Sequence, residues 1–364
     1  MNAIGTLGSH CALQVLKGAK DEGFKTILVC ERRREGLYRR FRFIDRLIPV
    51  EDYRFEHAFS EGIQNELHDN NCILVPHGTY ISSMKIEEIE SIRVPFFGNR
   101  WILRWEADRV MKERLMLEAR LNVPRSVSID ELGNSSSSSS GSGSSSSSSS
   151  KDAGRLVIAK LHGAAGGKGY FLAWDRESFM AQYNKLLSKG MVKSLNDLYI
   201  QEYVLGVPVY LQYFYSPLSR EVELLGIDRR YESNVDAIGR VPALQQEHSG
   251  IHEVSYNVVG NSPLVLRESL LDEVYRMGER FVAAAERLVK PGMIGPFCIE
   301  GVYDQDGRFI SFEFSARIVA GTNLYVNGSP YSYLLYDEPM SMGRRIAREV
   351  RTAIESRELD KVVT

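Results

Sequence analysis

The sequence predicts an α/β and α+β protein of two or three subdomains that opens on a Rossmann-like unit. Three observations predict it. The chain has 364 residues, more than one compact core accommodates. Its first third alternates short apolar runs with amphipathic helical spacing. Its second half carries strand-like runs in close succession around one long helical pattern.

In chain order, residues 3–6 read as a strand and Gly8-Ser9-His10 as the loop that leaves it. Residues 11–22 then read as a helix stopped by Gly23, and residues 25–29 as the next strand. Ala12, Val15, Leu16 and Ala19 recur at three- and four-residue spacing, so this helix lays one apolar stripe on a sheet. Residues 72–75 form another short apolar run, ending in Pro76-His77-Gly78-Thr79, and residues 94–97 a further one, ending in Gly98-Asn99-Arg100. Ligands bind at the carboxyl ends of parallel strands, so His10, His77, Thr79 and Asn99 are expected at one crevice. Residues 1–100 are accordingly a Rossmann-like α/β domain, and residues 101–134, rich in charge, Leu and Met, a connecting helix and strand.

Residues 135–150 are serine except for Gly141 and Gly143. That composition buries too little apolar surface to order itself, and the segment is set apart as a low-complexity loop. The pattern resumes with a smaller lobe, residues 151–205, in which 156–160 and 170–173 read as strands. A larger lobe, residues 206–364, follows. Counting the strand that begins at Tyr199, strands are expected over 199–204, 209–215, 222–227, 297–303 and 309–314. Between them, residues 270–289 form a long helix with Leu271, Val274, Tyr275, Phe281, Val282 and Leu288 on its apolar side, stopped by Lys290-Pro291-Gly292. A final helix, 343–356, carries a charged outer face, and the tyrosines that follow Pro330 read as a core strip rather than a contact surface.

Composition narrows the function. The formal net charge is −2 and the sequence pI about 6.4, so there is no surplus of Lys and Arg to release counterions from a nucleic acid, and no nucleic-acid partner is expected. Cys11, Cys30, Cys72 and Cys298 lie far apart without a C-x-x-C pair and read as reduced, buried thiols. No run approaches the ~18 apolar residues of a spanning helix, so no membrane partner is expected and the cytoplasm is the expected compartment.

Three segments carry chemistry. Residues 160–169, KLHGAAGGKG, lie between two expected strands; the glycines let backbone N–H groups approach an anion and Lys168 adds a charge. No Gly-Lys-Ser/Thr opens a helix there, which favours a strand–loop–strand flap over a triphosphate rather than a P-loop. A plain hairpin with a soft tip reads equally well on that segment alone. Residues 198–206, LYIQEYVLG, place Gln201, Glu202 and Val204 at the end of an apolar strand with free backbone groups after it, as an adenine and ribose pocket needs at a hinge. An edge strand carries a Glu just as readily. Finally, Glu300 in PFCIEG and Glu313 in SFEFSAR flank an expected hairpin turn at Asp304-Gln305-Asp306-Gly307. Two carboxylates brought together need a cation, and magnesium with phosphate oxygens is the usual hard partner. The plainer alternative is a pair of exposed positions on an edge hairpin.

In this order, the lysine strand, glycine flap, Q-E-x-V hinge and paired strand glutamates resemble the ATP-grasp fold, which clamps ATP between two α+β lobes behind an N-terminal Rossmann-like (pre-ATP-grasp) domain. The runs GSHCALQVLKGAKDEGF, VPFFGNRWILRWEADR, IDRRYESNVDAIGR, LRESLL, GPFCIEGV, FEFSARIVAGTN and GRRIAREV narrow the resemblance. Together they are similar to the archaeal PurP-type family of formate-dependent 5-formaminoimidazole-4-carboxamide ribonucleotide (FAICAR) synthetases, along nearly the whole chain apart from the serine tract.

The resemblance implies an ATP- and formate-dependent ligase of purine (IMP) biosynthesis. Formate attacks the γ-phosphate to give formyl phosphate, and the 5-amino group of 5-aminoimidazole-4-carboxamide ribonucleotide (AICAR) displaces phosphate. It implies that His10, Thr79 and Asn261 contact the ribonucleotide. Lys160, His162, Gly166, Gly167, Lys168, Gln201, Glu202, Val204 and Glu232 fall to ATP, and Glu300 and Glu313 to Mg2+ or Mn2+. Arg317 and Asn323 fall beside the metal and γ-phosphate, and a homo-oligomer is implied. His10 suits its role, because a strand-to-helix loop offers N–H groups and a helix dipole to a phosphate; a helix cap is the plainer reading of a lone His there. Arg229 and Arg230 serve the phosphates or form an ordinary salt-bridged surface next to Asp228.

Three positions are notable. Ala165 stands where the family's flap carries a second lysine, Thr79 replaces a serine and keeps the hydroxyl, and Ser315 stands where more generic ATP-grasp enzymes place Asn. Ala165 keeps open a paralogous ATP-grasp carboxylate–amine ligase with a different acid or amine. A non-catalytic nucleotide-binding regulator is the alternative of another class, against which the two retained glutamates speak.

Overall fold

The first sheet is wholly parallel, with strands β1 (Ala3–Leu7), β2 (Lys25–Glu31), β3 (Arg46–Val50) and β4 (Cys72–Leu74) in the order β3-β2-β1-β4. The computed structural model describes residues 2–133, 156–161, 170–246, 248–249 and 257–364. The serine tract and the glycine flap, with His162, Ala165, Gly166, Gly167 and Lys168, lie outside the described residues. Helix Ala12–Asp21 joins β1 to β2 and buries Ala12, Val15, Leu16 and Ala19, the stripe read from the spacing. β3 was not foreseen, because Pro49 breaks the strand signal; an edge strand tolerates it. The strand expected at 94–97 is only two bridges, Phe96 to Leu74 and Phe97 to Val363, since Pro95 has no N–H with which to extend a ladder.

The second sheet holds β5 (Val157–Leu161), β6 (Phe171–Ala173) and β7 (Leu198–Glu202) in the antiparallel order β6-β5-β7. Helix Arg176–Ser188 covers it with Phe179 and Tyr183, and its first turn is capped by Asp175, which accepts from the Ser178 N–H at 2.7 Å. The third sheet is antiparallel, with β8 (Val207–Ser216), β9 (Glu221–Glu232), β10 (Val258–Pro263), β11 (Gly295–Tyr303) and β12 (Phe309–Ser315) in the order β10-β9-β8-β11-β12. The long helix Leu271–Leu288 packs against it through Val274, Met277, Phe281 and Ala285. The Phe297 ring stacks between Tyr213, at 4.8 Å, and Phe281, at 5.1 Å, so truncating Phe281 removes a buried aromatic worth about 3–5 kcal/mol.

Two features tie the first sheet to the third. Helix Met342–Ser356 crosses helix Ala12–Asp21 where both carry glycine. A Cβ on Gly18 would lie 2.2 Å from the Arg344 nitrogen, and one on Gly343 would lie 2.3 Å from the Gln14 carbonyl oxygen. The charged face of that last helix is not an outer one. Arg344, Arg348 and Arg351 converge on the buried Glu22, each at 2.7 Å, and Arg345 pairs with Glu223 and Glu349 at 2.8 Å. The second tie is Asn99, whose amide donates to the carbonyls of Val289 (3.0 Å) and Gly292 (2.8 Å). Asn99 therefore fastens the end of the long helix and does not reach the crevice expected for it.

The strip that follows Pro330 also divides. Tyr331 is buried, its hydroxyl accepting from the Leu266 N–H at 2.8 Å, whereas Tyr333 is 78% exposed and not part of a core. The four cysteines are free and buried, and no described helix is long and apolar enough to cross a membrane.

Candidate active site

The first part of the site is built where β1 ends. Ser9 and His10 turn the chain with positive φ (149° and 41°), and the His10 carbonyl is held by the Asn323 amide at 2.9 Å. The His10 Nδ1 meets the Thr79 hydroxyl at 2.9 Å. Beside it, His77 spends both ring nitrogens on the backbone, Nε2 donating to the Leu7 carbonyl at 2.8 Å and Nδ1 accepting from the Thr79 N–H at 3.2 Å. His77 is thus a fixed neutral tautomer, and full burial pushes its pKa down to about 3. Its ring stacks on that of His10 at 5.6 Å. His10 is open to solvent on its other side; lost hydration and then the charges of Arg317 and Arg34 lower its pKa to about 4. The His10 ring packs closely over Gly78, where a Cβ would stand 3.0 Å from its Nε2.

The second part is the carboxylate hairpin. Glu300 and Glu313 are direct cross-strand partners of β11 and β12, so both side chains leave the same face of the sheet. Asp304 and Gly307 (φ +74°) close the turn between them. Glu300 is buried, 2.9 Å from an Arg230 guanidinium nitrogen, and accepts from the Ser315 hydroxyl at 3.0 Å. Ser315, where an Asn was the generic expectation, therefore orients the first glutamate. Arg230 in turn lies 3.7 Å over the Tyr210 ring. Glu313 pairs with Lys112. Burial alone would raise its pKa, but Lys112, Arg109 and Lys160 outweigh burial and hold it at about 2, a carboxylate throughout the physiological range.

This pair suits a hard divalent cation, which takes oxygen ligands and is content with two carboxylates when phosphate supplies others. Among the described residues no further His, Cys, Asp or Glu joins the two glutamates as a metal-holding group.

The third part faces the second sheet. Lys160 on β5 is buried, with Nζ 3.1 Å from the Gln201 side-chain oxygen and between the rings of Tyr170 (5.9 Å) and Phe312 (5.6 Å). Burial pushes its pKa down to about 8. A lysine held by an amide rather than a carboxylate keeps its charge for an arriving anion. Gln201 is fixed by its own bond to the Tyr199 hydroxyl at 3.1 Å. Glu202 ends β7, its N–H donating to the Arg125 carbonyl at 2.9 Å, and the half-buried Val204 follows in the connection to β8. Arg109 reaches the same rim, donating to the Leu161 carbonyl and the Tyr170 hydroxyl, both at 2.9 Å.

The other expected residues fall around these parts. Arg317 lies 2.8 Å from Glu106, with its Nη2 3.6 Å from where a Gly78 Cβ would be, and thus between the histidines and the glutamates. Asn323 stands on the histidine side. Asn261 donates to Asp228 at 2.7 Å on the strand opposite Arg230; burial raises Asp228 to about 6. Glu232 ends β9 half-buried, with burial raising its pKa.

Glu106, Arg109 and Lys112 escaped the sequence reading. The signal was present: Ile102, Glu106, Arg109, Lys112 and Met116 recur at three- and four-residue spacing, so the charges continue an apolar stripe. Such charges are buried only because β12 and β5 cover that face. Glu106 accepts from the Ala316 N–H at 2.8 Å as well as pairing with Arg317, and so joins the helix to the strand that carries Glu313.

Comparison with known proteins agrees along the whole length. A family described as a protein of unknown function (DUF1246) matches residues 4–127, and one described as a domain of unknown function (DUF1297) matches residues 178–364. The 5-formaminoimidazole-4-carboxamide-1-(beta)-D-ribofuranosyl 5'-monophosphate synthetase of Nitrosopumilus maritimus is 56% identical over 100% of both chains. The crystal structure of an IMP biosynthesis protein PurP from Thermococcus kodakaraensis superposes with a TM-score of 0.73 and 30% identity, covering 99% of this chain and 100% of that one. The ADP complex of an N5-carboxyaminoimidazole ribonucleotide synthetase, only 12% identical, superposes with a TM-score of 0.63 over 96% of this chain and 76% of that one, and shows the shared ATP-grasp fold.

Proposed function

We propose, because this chain belongs to the family of archaeal 5-formaminoimidazole-4-carboxamide ribonucleotide synthetases, that it ligates formate to the 5-amino group of AICAR at the expense of ATP. A formate oxygen attacks the γ-phosphorus and ADP leaves, giving formyl phosphate. The amine then attacks the formyl carbon, phosphate leaves with its electron pair, and the amine loses a proton, giving FAICAR. The observation that carries this reading is the direct cross-strand opposition of Glu300 and Glu313 beside the buried Lys160.

Each part of the chain has its task in that sequence. Glu300 and Glu313 hold Mg2+ or Mn2+, which when bound supplies positive charge to the phosphoryl group in transfer. Lys160 gives its ammonium to the phosphates, and Lys168, His162, Gly166 and Gly167 are assigned to ATP as well. Gln201, Glu202 and Val204 line the adenine and ribose at the hinge, and Glu232 approaches the nucleotide from β9. Arg317, between the two halves of the site, faces the γ-phosphate and the formate. His10, Thr79 and Asn261 take the ribonucleotide, whose phosphate meets the N–H groups that open helix Ala12–Asp21. Asn323 positions the His10 loop. The neutral imidazole of His10 offers the substrate a hydrogen bond without a competing charge.

We place the enzyme in the cytoplasm as a homo-oligomer, with residues 1–100 as its Rossmann-like domain and 151–205 and 206–364 as the small and large lobes that hold ATP, the large lobe also lending Asn261 to the ribonucleotide. A coupled assay of ADP release tests the reading. Release is expected only when formate, AICAR and a divalent ion are all present; release with a different carboxylic acid in place of formate, and none with formate, rejects it in favour of a paralogous ligase.

A further inference from the structure

The ammonium of Lys112 sits on the Glu313 carboxylate, and the guanidinium of Arg230 sits on Glu300 at 2.9 Å. The two carboxylates that face each other across β11 and β12 are therefore already matched one for one by the chain's own cations. The two cations are held differently. Arg230 is clamped over the Tyr210 ring at 3.7 Å, whereas Lys112 comes from helix Arg109–Glu118 on a flexible four-carbon stem, with no ring contact of its own among those described. Lys160 adds a further positive charge beside the pair, between the Tyr170 and Phe312 rings. A bare divalent cation approaching this place meets carboxylates whose charge is spent. A polyphosphate approaching it meets the Lys112 ammonium, which has one anion to exchange for another, and the Lys160 ammonium, held by an amide oxygen.

We propose that Lys112 is a positioning residue that keeps Glu313 closed to a divalent ion until a polyphosphate draws its ammonium away, so that metal and nucleotide enter as one complex. The inference rests on the reading of Glu300 and Glu313 as the metal carboxylates. Exchange of Lys112 from carboxylate to phosphate replaces one charge-assisted hydrogen bond by another. It frees an oxygen of Glu313 at the moment the ion needs it, and Lys112 finishes as one more phosphate contact.

Equilibrium dialysis of Mn2+ against the full chain, with and without inorganic tripolyphosphate, tests this without turnover. Wild-type protein is expected to hold Mn2+ at least about tenfold more tightly when tripolyphosphate is present, from the Coulomb cost of a resident cation at this distance. Lys112→Met is expected to tighten Mn2+ binding in the absence of tripolyphosphate by roughly the same factor, an effect that loss of structure cannot mimic. Lys112→Arg should restore the wild-type pattern. Unchanged polyphosphate-free affinity in Lys112→Met overturns the inference, as does wild-type affinity that ignores tripolyphosphate, which decides the matter even if the methionine variant fails to fold. Glu313→Gln separates the two levels. If it abolishes the tripolyphosphate-supported binding while Lys112→Met changes nothing, only the role of Lys112 is wrong. If Glu313→Gln leaves that binding intact, the metal site itself is misplaced and both readings fall.

Discussion

The histidine crevice at the end of β1 and the glutamate hairpin of β11 and β12 both place ionisable groups out of water, and they treat charge in opposite ways. At the crevice, burial wins: His77 is driven to a pKa of about 3 and His10 to about 4, and both rest as neutral rings bonded to backbone and to Thr79. At the hairpin, burial loses: Lys112, Arg109 and Lys160 hold Glu313 at about 2 against it. Neutral donors and acceptors recognise a sugar and a base by geometry, whereas a polarised site stands ready for a metal and a triphosphate. On the function proposed above, one chain thus carries a recognition half and a reaction half, joined by the Arg317–Glu106 pair at 2.8 Å.

The largest effect that can break this division is at the hairpin. Glu313→Gln keeps the shape and removes the charge, and should lower kcat by roughly a thousandfold, at the upper end of what one electrostatic group supplies to a transition state. Circular dichroism should show the fold unchanged. Turnover near the wild-type rate would remove the assignment of this carboxylate to the reaction half.

Lys160→Met has the next largest effect, and it sharpens the comparison because function and stability should move in opposite senses. The buried ammonium is held by an amide oxygen, not a carboxylate, and its lowered pKa records the cost of keeping it charged. A methionine of similar volume should therefore stabilise the fold by about 2 kcal/mol. Nucleotide affinity should fall about a hundredfold, the worth of a charge-assisted bond in a dry site. Calorimetric melting and nucleotide titration read the two separately, and a lower melting temperature would show that Lys160 is structural.

His10→Ala probes the other half. Losing its bond to the ribonucleotide should cost kcat/KM for AICAR about tenfold, the net value of one hydrogen bond, while the KM for ATP stays in place. A matching rise in the KM for ATP would mean that the two halves are one site rather than two.

These residues differ in how far the sequence discloses them. Glu300 and Glu313 are legible because a hairpin turn between two alternating strands fixes which side chains share a face, and that is a local property. His10 and Thr79 are legible for a related reason, since both lie just beyond the carboxyl ends of neighbouring strands of one parallel sheet. Glu106, Arg109 and Lys112 are not, because a charge in a helical pattern faces water unless some distant element covers it, and the covering strands here are β5 and β12. Arg344, Arg348 and Arg351 misled in the same way, their partner Glu22 lying more than three hundred residues earlier in the chain. Asn99 erred in the other direction: a polar residue after a strand looks like a ligand-binding loop, and only the folded chain reveals that the end of helix Leu271–Leu288 needs its amide.

The smallest expected effect is a slope, and it separates the halves by pH alone. His77 has a folded pKa of about 3 against an ordinary value of 6.5, so the unfolded chain takes up its proton first on acidification. Its contribution is full at neutral pH and is lost as pH falls from 6.5 towards 3, at up to about 1.4 kcal/mol per pH unit. Glu313, held at about 2 against 4.5, loses its contribution only below pH 4.5. Between pH 6.5 and 4.5 the decline in melting temperature is driven by the histidines, with His10 acting in the same direction more weakly because one side of its ring is open to water, and it is opposed by the buried Asp228 and the half-buried Glu232, whose raised pKa values favour the folded state on acidification. His77→Gln should be less stable at every pH, having lost a ring that bridges Leu7 and Thr79, but its decline over that window should be shallower than that of the wild type. Glu313→Gln should retain the whole of it. An undiminished decline in His77→Gln, or a diminished one in Glu313→Gln, would show that the crevice is not the neutral half of the molecule.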